Sequence, residues 1–398
     1  MKIAFVVWNL GGGGAERVYV NLMNHLSGRH EVYALIAKDT PPSVKYEPSE
    51  KVRVIRLQDS RGPKALVYLK MIRQIRALKK RLGIEVSLGF LEWGNFANVL
   101  SRAGERCIIS VRNMISLKMK YRWKHDPFLS LAKLADRFCD VMVCVSSDVA
   151  RDQVSHYHIP RRKIRVIRNY CDAELIRSLA SEPPEDPEFG TYRAAHPFCF
   201  IATGRLDVQK GYGHLFKSFL KLLETFPDAG LVILGSGPIE AEIRAEADRL
   251  GLSGHIFMPD RKSNPFAYMA CCDAFVLTSL YEGFPNAVLE AMACGLPVIA
   301  DDCAGIREAL DPERPYGERI LHATHAAYGI ITPVYGPSDR GSRMLSFEEK
   351  EFCAAMAEIA GEPALRKHYA RAGLKRLKAF TPVRILSEWE TLIENRRS

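Results

Sequence analysis

Short apolar runs recur along the chain with room for a helix between successive runs. Ile3–Trp8, Val52–Leu57, Val86–Phe90, Cys107–Val111 and Val141–Val145 are too short for buried helices and read as buried strands. The stretches between them, such as Glu16–Leu26, space their apolar residues as one face of a helix. Alternation of this kind predicts a parallel sheet covered by helices. The pattern pauses over 181–197, where SEPPEDPEF is rich in proline and acid and reads as a linker. It resumes with Phe198–Thr203, Gly230–Leu234, His255–Met258, Ala274–Thr278 and Pro297–Ala300. The expectation is two Rossmann-like, doubly wound α/β domains, 1–180 and 198–380, with a terminal helix at 381–398 that packs back on the first. In such folds ligands bind beyond the carboxyl ends of the strands, here also in a cleft between the domains.

Composition adds little to this until it is divided. The 398 residues are 47% hydrophobic and 26% charged, as in ordinary soluble globular chains, which excludes wholesale disorder. The apolar start is shorter than a signal-peptide core, and no apolar run approaches the roughly 18 residues that span a bilayer. Ten cysteines occur without any C-x-x-C, the usage of a cytosolic, thiol-reduced protein. The net charge of +10 is unevenly placed. Residues 1–180 hold 32 Lys and Arg against 16 Asp and Glu, whereas the remainder holds 24 against 30. Only the first domain therefore favours an anionic partner.

Three motifs carry candidate chemistry. GGGGAER, Gly11 to Arg17, follows the first strand; glycines there let backbone N–H groups at a helix start approach an anion. No Gly-Lys-Ser/Thr follows, so it is not a P-loop, and Glu16 stands where a dinucleotide fingerprint needs glycine or alanine. GRLDVQKG, Gly204 to Gly211, follows the first strand of the second domain and offers Arg205 and Lys210 to a diphosphate. EGFPNAVLEAMACG, Glu282 to Gly295, sets Pro285 at the start and Gly295 past the end of a helix of about ten residues. Glu282 precedes that helix and Glu290 lies within it, placed to accept hydroxyls of a sugar and of a ribose. Taken singly, each also reads blandly: a flexible turn, two solvated cations, and two glutamates favoured by a helix dipole or by solvent.

Together with GSGP at Gly235 to Pro238, these motifs resemble the retaining, nucleotide-sugar-dependent family-4 glycosyltransferases of GT-B fold, in order and over nearly the whole chain. The resemblance implies donor binding mainly by the C-terminal domain and acceptor binding mainly by the N-terminal one. It implies that Arg205 and Lys210 hold the donor diphosphate and assist its departure, that Glu282 contacts the transferred sugar, and that Glu290 binds the ribose. Gly13, Gly14, Gly204, Gly235 and Asn286 border the donor, Ala287 and Val288 offer backbone N–H groups to phosphate, and 255–261, with Arg261, borders the base. The chain departs from the family pattern at Pro259, where a glycine is common. In the N-terminal loops it reads FLEWGN and SVRN, leaving Glu92, Asn95 and Arg112 as acceptor-side candidates. No Asp-x-Asp occurs and the histidines form no ligand pattern, so neither a metal nor any other cofactor is expected.

The acceptor belongs to the basic half. Arg61 to Gly83 contains eight Lys and Arg and no acid, with Leu66, Leu69, Ile72, Ile75, Leu78 and Leu82 at near-helical spacing. This describes a basic amphipathic helix that lies on an anionic membrane or an ordinary core-covering helix. Arg112, Lys118, Lys120, Arg122 and Lys124, interleaved with Tyr121 and Trp123, add to the membrane case. The expected enzyme is peripheral on the inner face of the cell membrane. It moves a hexose or N-acetylhexosamine, from a UDP-sugar, to a polyprenyl-diphosphate-linked glycan or lipopolysaccharide. A nucleotide-sugar epimerase of the same fold is the alternative enzyme. A nucleic-acid-binding protein is the alternative class, for which the chain holds no recognised motif.

Overall fold

The computed structural model describes residues 1–40, 46–58, 63–121, 127–314, 317–336 and 344–395. The chain divides into two compact units, Met1–Asn169 with Val383–Ser398, and Tyr170–Pro382. Among the described residues, no helix is long and apolar enough to cross a membrane.

The first unit is built on β1 (Lys2–Val7), β2 (Glu31–Ile36), β3 (Val52–Arg56), β4 (Val86–Phe90), β5 (Arg106–Val111), β6 (Val141–Cys144) and β7 (Ile164–Val166), ordered β3-β2-β1-β4-β5-β6-β7. All of its pairings are parallel. Sequential strands run outward from β1 in one direction, and the order then reverses between β1 and β4, opening the crevice where doubly wound sheets take ligands. The second unit repeats the plan with β8 (Phe198–Thr203), β9 (Ala229–Leu234), β10 (Ile256–Phe257), β11 (Ala274–Leu277), β12 (Val298–Asp301), β13 (Thr324–Ala326) and β14 (Gly329–Thr332), ordered β10-β9-β8-β11-β12-β14-β13. Here the order reverses between β8 and β11, and the short β13 runs antiparallel at the edge.

The boundary expected at 180/181 is displaced. Residues 181–197 belong to the second unit, where Pro187–Ala195 is a helix whose Phe189 ring lies 5.0 Å from Tyr268 and 5.2 Å from Phe257. Asp186, just ahead of it, accepts hydrogen bonds from Lys262 at 2.7 Å and from the Tyr268 hydroxyl at 2.5 Å. The prolines and acids that suggested a linker instead start and anchor a helix. The terminal helix, Pro382–Glu394, passes into the first unit at Val383. There Trp389 is buried 5.8 Å from Phe90, and Arg106 donates to the carbonyls of Leu392 and Asn395 at 2.6 and 2.7 Å.

The basic helix, Lys64–Leu82, resolves in favour of core covering. Met71 and Ile75 are buried, and Val67, Ile72, Leu78 and Leu82 pack against the same cluster as Ala4, Tyr33 and Trp93. Leu66 and Leu69 are exposed, and Arg61 lies outside the described residues. Lys79 is the larger correction, because a residue read as a surface cation is 1% exposed. Its ammonium donates to Glu105 Oε1 at 2.7 Å, Asn98 Oδ1 at 2.8 Å and the Asn98 carbonyl at 3.0 Å, which uses all three N–H groups. Burial alone would raise the Glu105 carboxyl, but the Lys79 charge and hydrogen bond hold it below its ordinary value.

Breaking a buried pair from one side strands a charge and typically costs about 3 to 5 kcal/mol. Lys79→Ala is therefore expected to lower unfolding stability by about that amount in urea titrations, while Lys80→Ala, on the exposed face, should stay within about 0.5 kcal/mol. Equal effects of the two would contradict this assignment of the helix faces.

Candidate active site

The second unit gathers its polar residues where its strand order reverses. Thr203 ends β8 and Leu277 ends β11, neighbouring strands, so the loops that follow them rise side by side. The Thr278 hydroxyl donates to the Lys210 carbonyl at 3.0 Å, and the Leu280 amide donates to the Gln209 carbonyl at 2.8 Å. These two bonds bind the two motifs into one surface. Glycine is required in two places. A Cβ on Gly211, whose φ is +62°, would lie 2.1 Å from the Thr278 carbonyl oxygen, and one on Gly235 would lie 1.8 Å from that of Gly204. Any side chain at either position would push the loops apart.

This closure brings Lys210 and Glu282 together. The Lys210 ammonium lies 2.7 Å from Glu282 Oε1, which also accepts from the Ser279 hydroxyl at 2.9 Å. Burial alone would lower the Lys210 pKa; Glu282, helped by Asp207, overrides it and holds the ammonium above its ordinary value. Arg205 stands apart, with a 63% exposed side chain 3.8 Å from Asp207. Burial raises the Asp207 carboxyl against the opposing pull of Arg205 and Lys210. The site thus presents one sequestered cation and one accessible cation on the same loop.

The helix after Glu282 runs Asn286–Ala293, with Pro285 as its N-cap rather than its first residue. The Val288 amide bonds back to the Pro285 carbonyl at 3.2 Å, so of the two N–H groups expected to face an anion, Val288 is already engaged and Ala287 is the better placed. Asn286, at the helix start, has a buried Oδ1 with no hydrogen-bond partner. Glu290 lies a turn further on and is half-buried, while Arg261 is exposed on the loop after β10.

Motif reasoning missed Asp301, which ends β12 and is fully buried, with neither carboxyl oxygen in hydrogen-bond geometry. Its register neighbour on β14, Thr332, has an unpartnered buried hydroxyl. Burial pushes the Asp301 carboxyl well above its usual range, and the charges of Asp302 and Glu282 push the same way. The doubled acid ADD in an otherwise apolar strand was the available signal. Unpartnered buried polar atoms are costly and rare; those of Asp207, Asn286, Asp301 and Thr332 all stand at the carboxyl edge of this sheet. Among the described residues, no group of three or more His, Cys, Asp or Glu is arranged to hold a metal ion.

In the first unit the glycine motif opens the helix Gly14–Leu26, with Gly13 as an extended N-cap. Across the strand reversal, the chain passes directly from β4 into helix Leu91–Leu100 through Leu91 at φ +61°, an uncommon conformation for a bulky residue. Glu92, next to it, pairs with Lys118 at 2.6 Å. Burial would raise its carboxyl, but Lys118 holds it below the ordinary value, which opposes any role as a base. Asn95 is 2% exposed. Its amide donates to the Ser110 carbonyl at 3.0 Å and its oxygen accepts the Ser110 N–H at 3.2 Å, so it clips helix to strand rather than facing an acceptor. Arg112, just after β5, bonds Asn169 and keeps Nη1 buried without a partner; burial lowers its pKa to about 10. Arg122, Trp123 and Lys124 lie outside the described residues.

Comparison with known proteins agrees with both halves of this geometry. A Glycosyltransferase Family 4 model matches residues 12–175, and a Glycosyl transferases group 1 model matches residues 191–320. An uncharacterized glycosyltransferase of Methanocaldococcus jannaschii is 32% identical over 263 residues, which are 65% of this chain and 64% of that protein. From Campylobacter jejuni, the N-acetylgalactosamine-N,N'-diacetylbacillosaminyl-diphospho-undecaprenol 4-alpha-N-acetylgalactosaminyltransferase is 25% identical over 96% of this chain and 97% of its own length. The structure of Anabaena HepE in complex with UDP-glucose superposes with a TM-score of 0.75 at 18% identity, covering 98% of this chain and 99% of that one. That likeness confirms the fold, two parallel-sheet domains of GT-B type. With matched models spanning both units and its charged motifs assembled at the sheet's reversal point, the chain belongs to the glycosyltransferases, family 4 in its N-terminal domain and group 1 in its C-terminal domain.

Proposed function

We propose that the protein transfers a hexose or N-acetylhexosamine from a UDP-sugar to a lipid-linked glycan, with retention at the anomeric carbon and without a metal. The observation that carries this reading is the Lys210–Glu282 pair, 2.7 Å apart, with Arg205 on the same loop. Two cations beside an N-terminal helix end suit a diphosphate, Arg205 reaching outward and Lys210 held in place from below. The anion-facing N–H groups would be those of Asn286 and Ala287. Glu282, already accepting from Lys210 and Ser279, is placed to orient a sugar hydroxyl rather than to attack carbon. A lipid-linked acceptor is suggested by the C. jejuni relative, whose name specifies a diphospho-undecaprenol glycan, and a uridine nucleotide by the UDP-glucose complex of HepE. On the acceptor side, Arg112 has a buried guanidinium nitrogen without a hydrogen-bond partner, suited to an acceptor phosphate.

In the proposed reaction the acceptor hydroxyl approaches the anomeric carbon on the face the diphosphate leaves. The bond from that carbon to the β-phosphate oxygen breaks as the new glycosidic bond forms. The hydroxyl proton passes to the departing phosphate oxygen, giving glycoside and nucleoside diphosphate. Lys210 and Arg205 meet charge that grows as the bond breaks, so their interaction is stronger in the transition state than in the ground state.

Three outcomes test this. Lys210→Ala should lower turnover at saturating donor by about 10² to 10³, some 3 to 4 kcal/mol, whereas Glu290→Gln should chiefly weaken donor binding, because a ribose contact changes little along the reaction. Normal turnover in Lys210→Ala beside abolished turnover in Glu290→Gln would reverse the assignment. Transfer should continue in excess chelator; an absolute requirement for a divalent ion would remove the cations from their primary role. Asp301 supplies a pH test. Its folded pKa is raised, so above the unfolded value near 3.8 the folded chain holds a proton the unfolded chain has released. The stability this confers is lost as pH climbs towards the folded pKa. The melting temperature of Asp301→Asn relative to wild type should therefore rise as the pH is raised above about 4, and a pH-independent difference would show that the carboxyl is not held neutral.

A further inference from the structure

The helix Pro127–Asp136 of the first unit is amphipathic the wrong way round for a soluble protein. Its charged residues point inward: Lys133 and Asp136 have side chains 5% and 2% exposed and pair at 2.7 Å, and the Lys133 ammonium also lies over the Tyr157 ring. Two of its leucines point outward. Leu131 and Leu134 are 54% and 55% exposed, and Phe138, in the turn that follows, is 64% exposed. Leu131 and Leu134, at i and i+3, share one side of the helix, and Phe138 extends the apolar surface from the turn at its end. Single exposed apolar residues are ordinary, but a contiguous row is the mark of an interaction surface.

Cations frame this row. Arg102 donates to the Phe138 carbonyl at 2.7 Å and spans Asp140 at 2.8 and 2.9 Å. Lys163 donates to the carbonyls of Arg137 and Cys139, both at 2.8 Å, which fixes the turn that presents Phe138. Exposed Arg161 and Arg162 precede Lys163 in the same short turn, and exposed Arg137 adjoins Phe138. Against these five cations stands Asp140, which is already spanned by Arg102.

We infer that Leu131, Leu134 and Phe138 insert into the surface of an anionic bilayer, with Arg137, Arg161 and Arg162 on its lipid headgroups. A second copy of the chain would have to bring this same cationic rim against itself, which charge opposes. An anionic lipid surface satisfies the apolar row and the cations together. This moves the docking surface away from the helix Lys64–Leu82, whose apolar stripe covers the core. The inference deepens the proposed function and rests on its reading of a lipid-linked acceptor, since it brings the basic domain to the surface where such an acceptor resides.

Full-length protein should be centrifuged with vesicles of phosphatidylcholine containing about one third phosphatidylglycerol and with pure phosphatidylcholine vesicles. Binding is expected to the anionic vesicles, to weaken as salt is raised, and to fall about tenfold or more in Leu134→Ser/Phe138→Ser. Arg161→Gln/Arg162→Gln should reduce it by a smaller factor and flatten the salt dependence. UDP binding, measured by calorimetry on the same proteins, should be unchanged, because Arg205, Lys210, Glu282 and Glu290 lie on the other unit and none of the substituted residues is assigned to the donor. Wild-type-like vesicle binding by Leu134→Ser/Phe138→Ser, equal binding to both vesicle types, or a dimer in sedimentation that this double variant dissolves would overturn the inference. Loss of UDP binding in the wild type would instead overturn the donor reading and leave the docking result standing.

Discussion

The contact between Lys210 and Glu282 organises the second domain's chemistry, because neither partner could be held there alone. A buried ammonium without a carboxylate would shed its proton, and a buried carboxylate without a donor would take one up. Their proximity requires the loops after β8 and β11 to close on each other. That closure requires glycine at 211, where the Thr278 carbonyl leaves no room for a Cβ, and the crossing bonds from Thr278 and Leu280. The parallel sheet supplies the frame: its order reverses between these two strands, so their loops separate to opposite faces beyond the point of contact and leave a crevice. A diphosphate in that crevice would meet charge whose positioning cost has already been met by folding, which is the condition for electrostatic stabilisation to act on the transition state.

The first domain handles its excess of cations differently. Several of its charges are taken inside and neutralised there: Lys79 with Glu105, Lys133 with Asp136, and Lys118 with Glu92 at partial exposure. Internal pairing of this kind adds little net stability over an apolar core, but it decides which face of a helix is left for the surface. For Lys64–Leu82 the pairing is compatible with an apolar buried stripe. For Pro127–Asp136 it turns Lys133 and Asp136 inward and leaves Leu131 and Leu134 outside. Arg112 stands apart from this economy, since its buried Nη1 has no hydrogen-bond partner.

How much of this could be read beforehand depends on the range of the interactions. Ten of the fourteen strands, all but β2, β7, β13 and β14, together with the α/β class, the two-domain plan and the three motifs, follow from local patterning, because apolar runs of strand length, glycine-rich turns and helix-start residues act over a few neighbours. Lys210 and Glu282 were recognisable as candidates by residue type within such turns. That they touch was not, because 72 residues separate them and only the strand order makes them neighbours. Asp301 escaped for the same reason: an aspartate at a strand end is ordinary until the sheet and its covering helices bury it completely.

Charge was the least legible property. A lysine in a basic amphipathic helix looks the same in sequence whether it faces solvent or Glu105, since its partner lies 26 residues away and its burial depends on packing against another helix. The acids and prolines of 181–197 likewise look like a linker until Phe189 finds Tyr268 and Phe257. Local chemistry thus determined the elements and the kinds of residue available for catalysis. Burial and pairing, which decide whether a charge serves the core, the site or the surface, are set by contacts distant in the chain, and only the tertiary structure determines them.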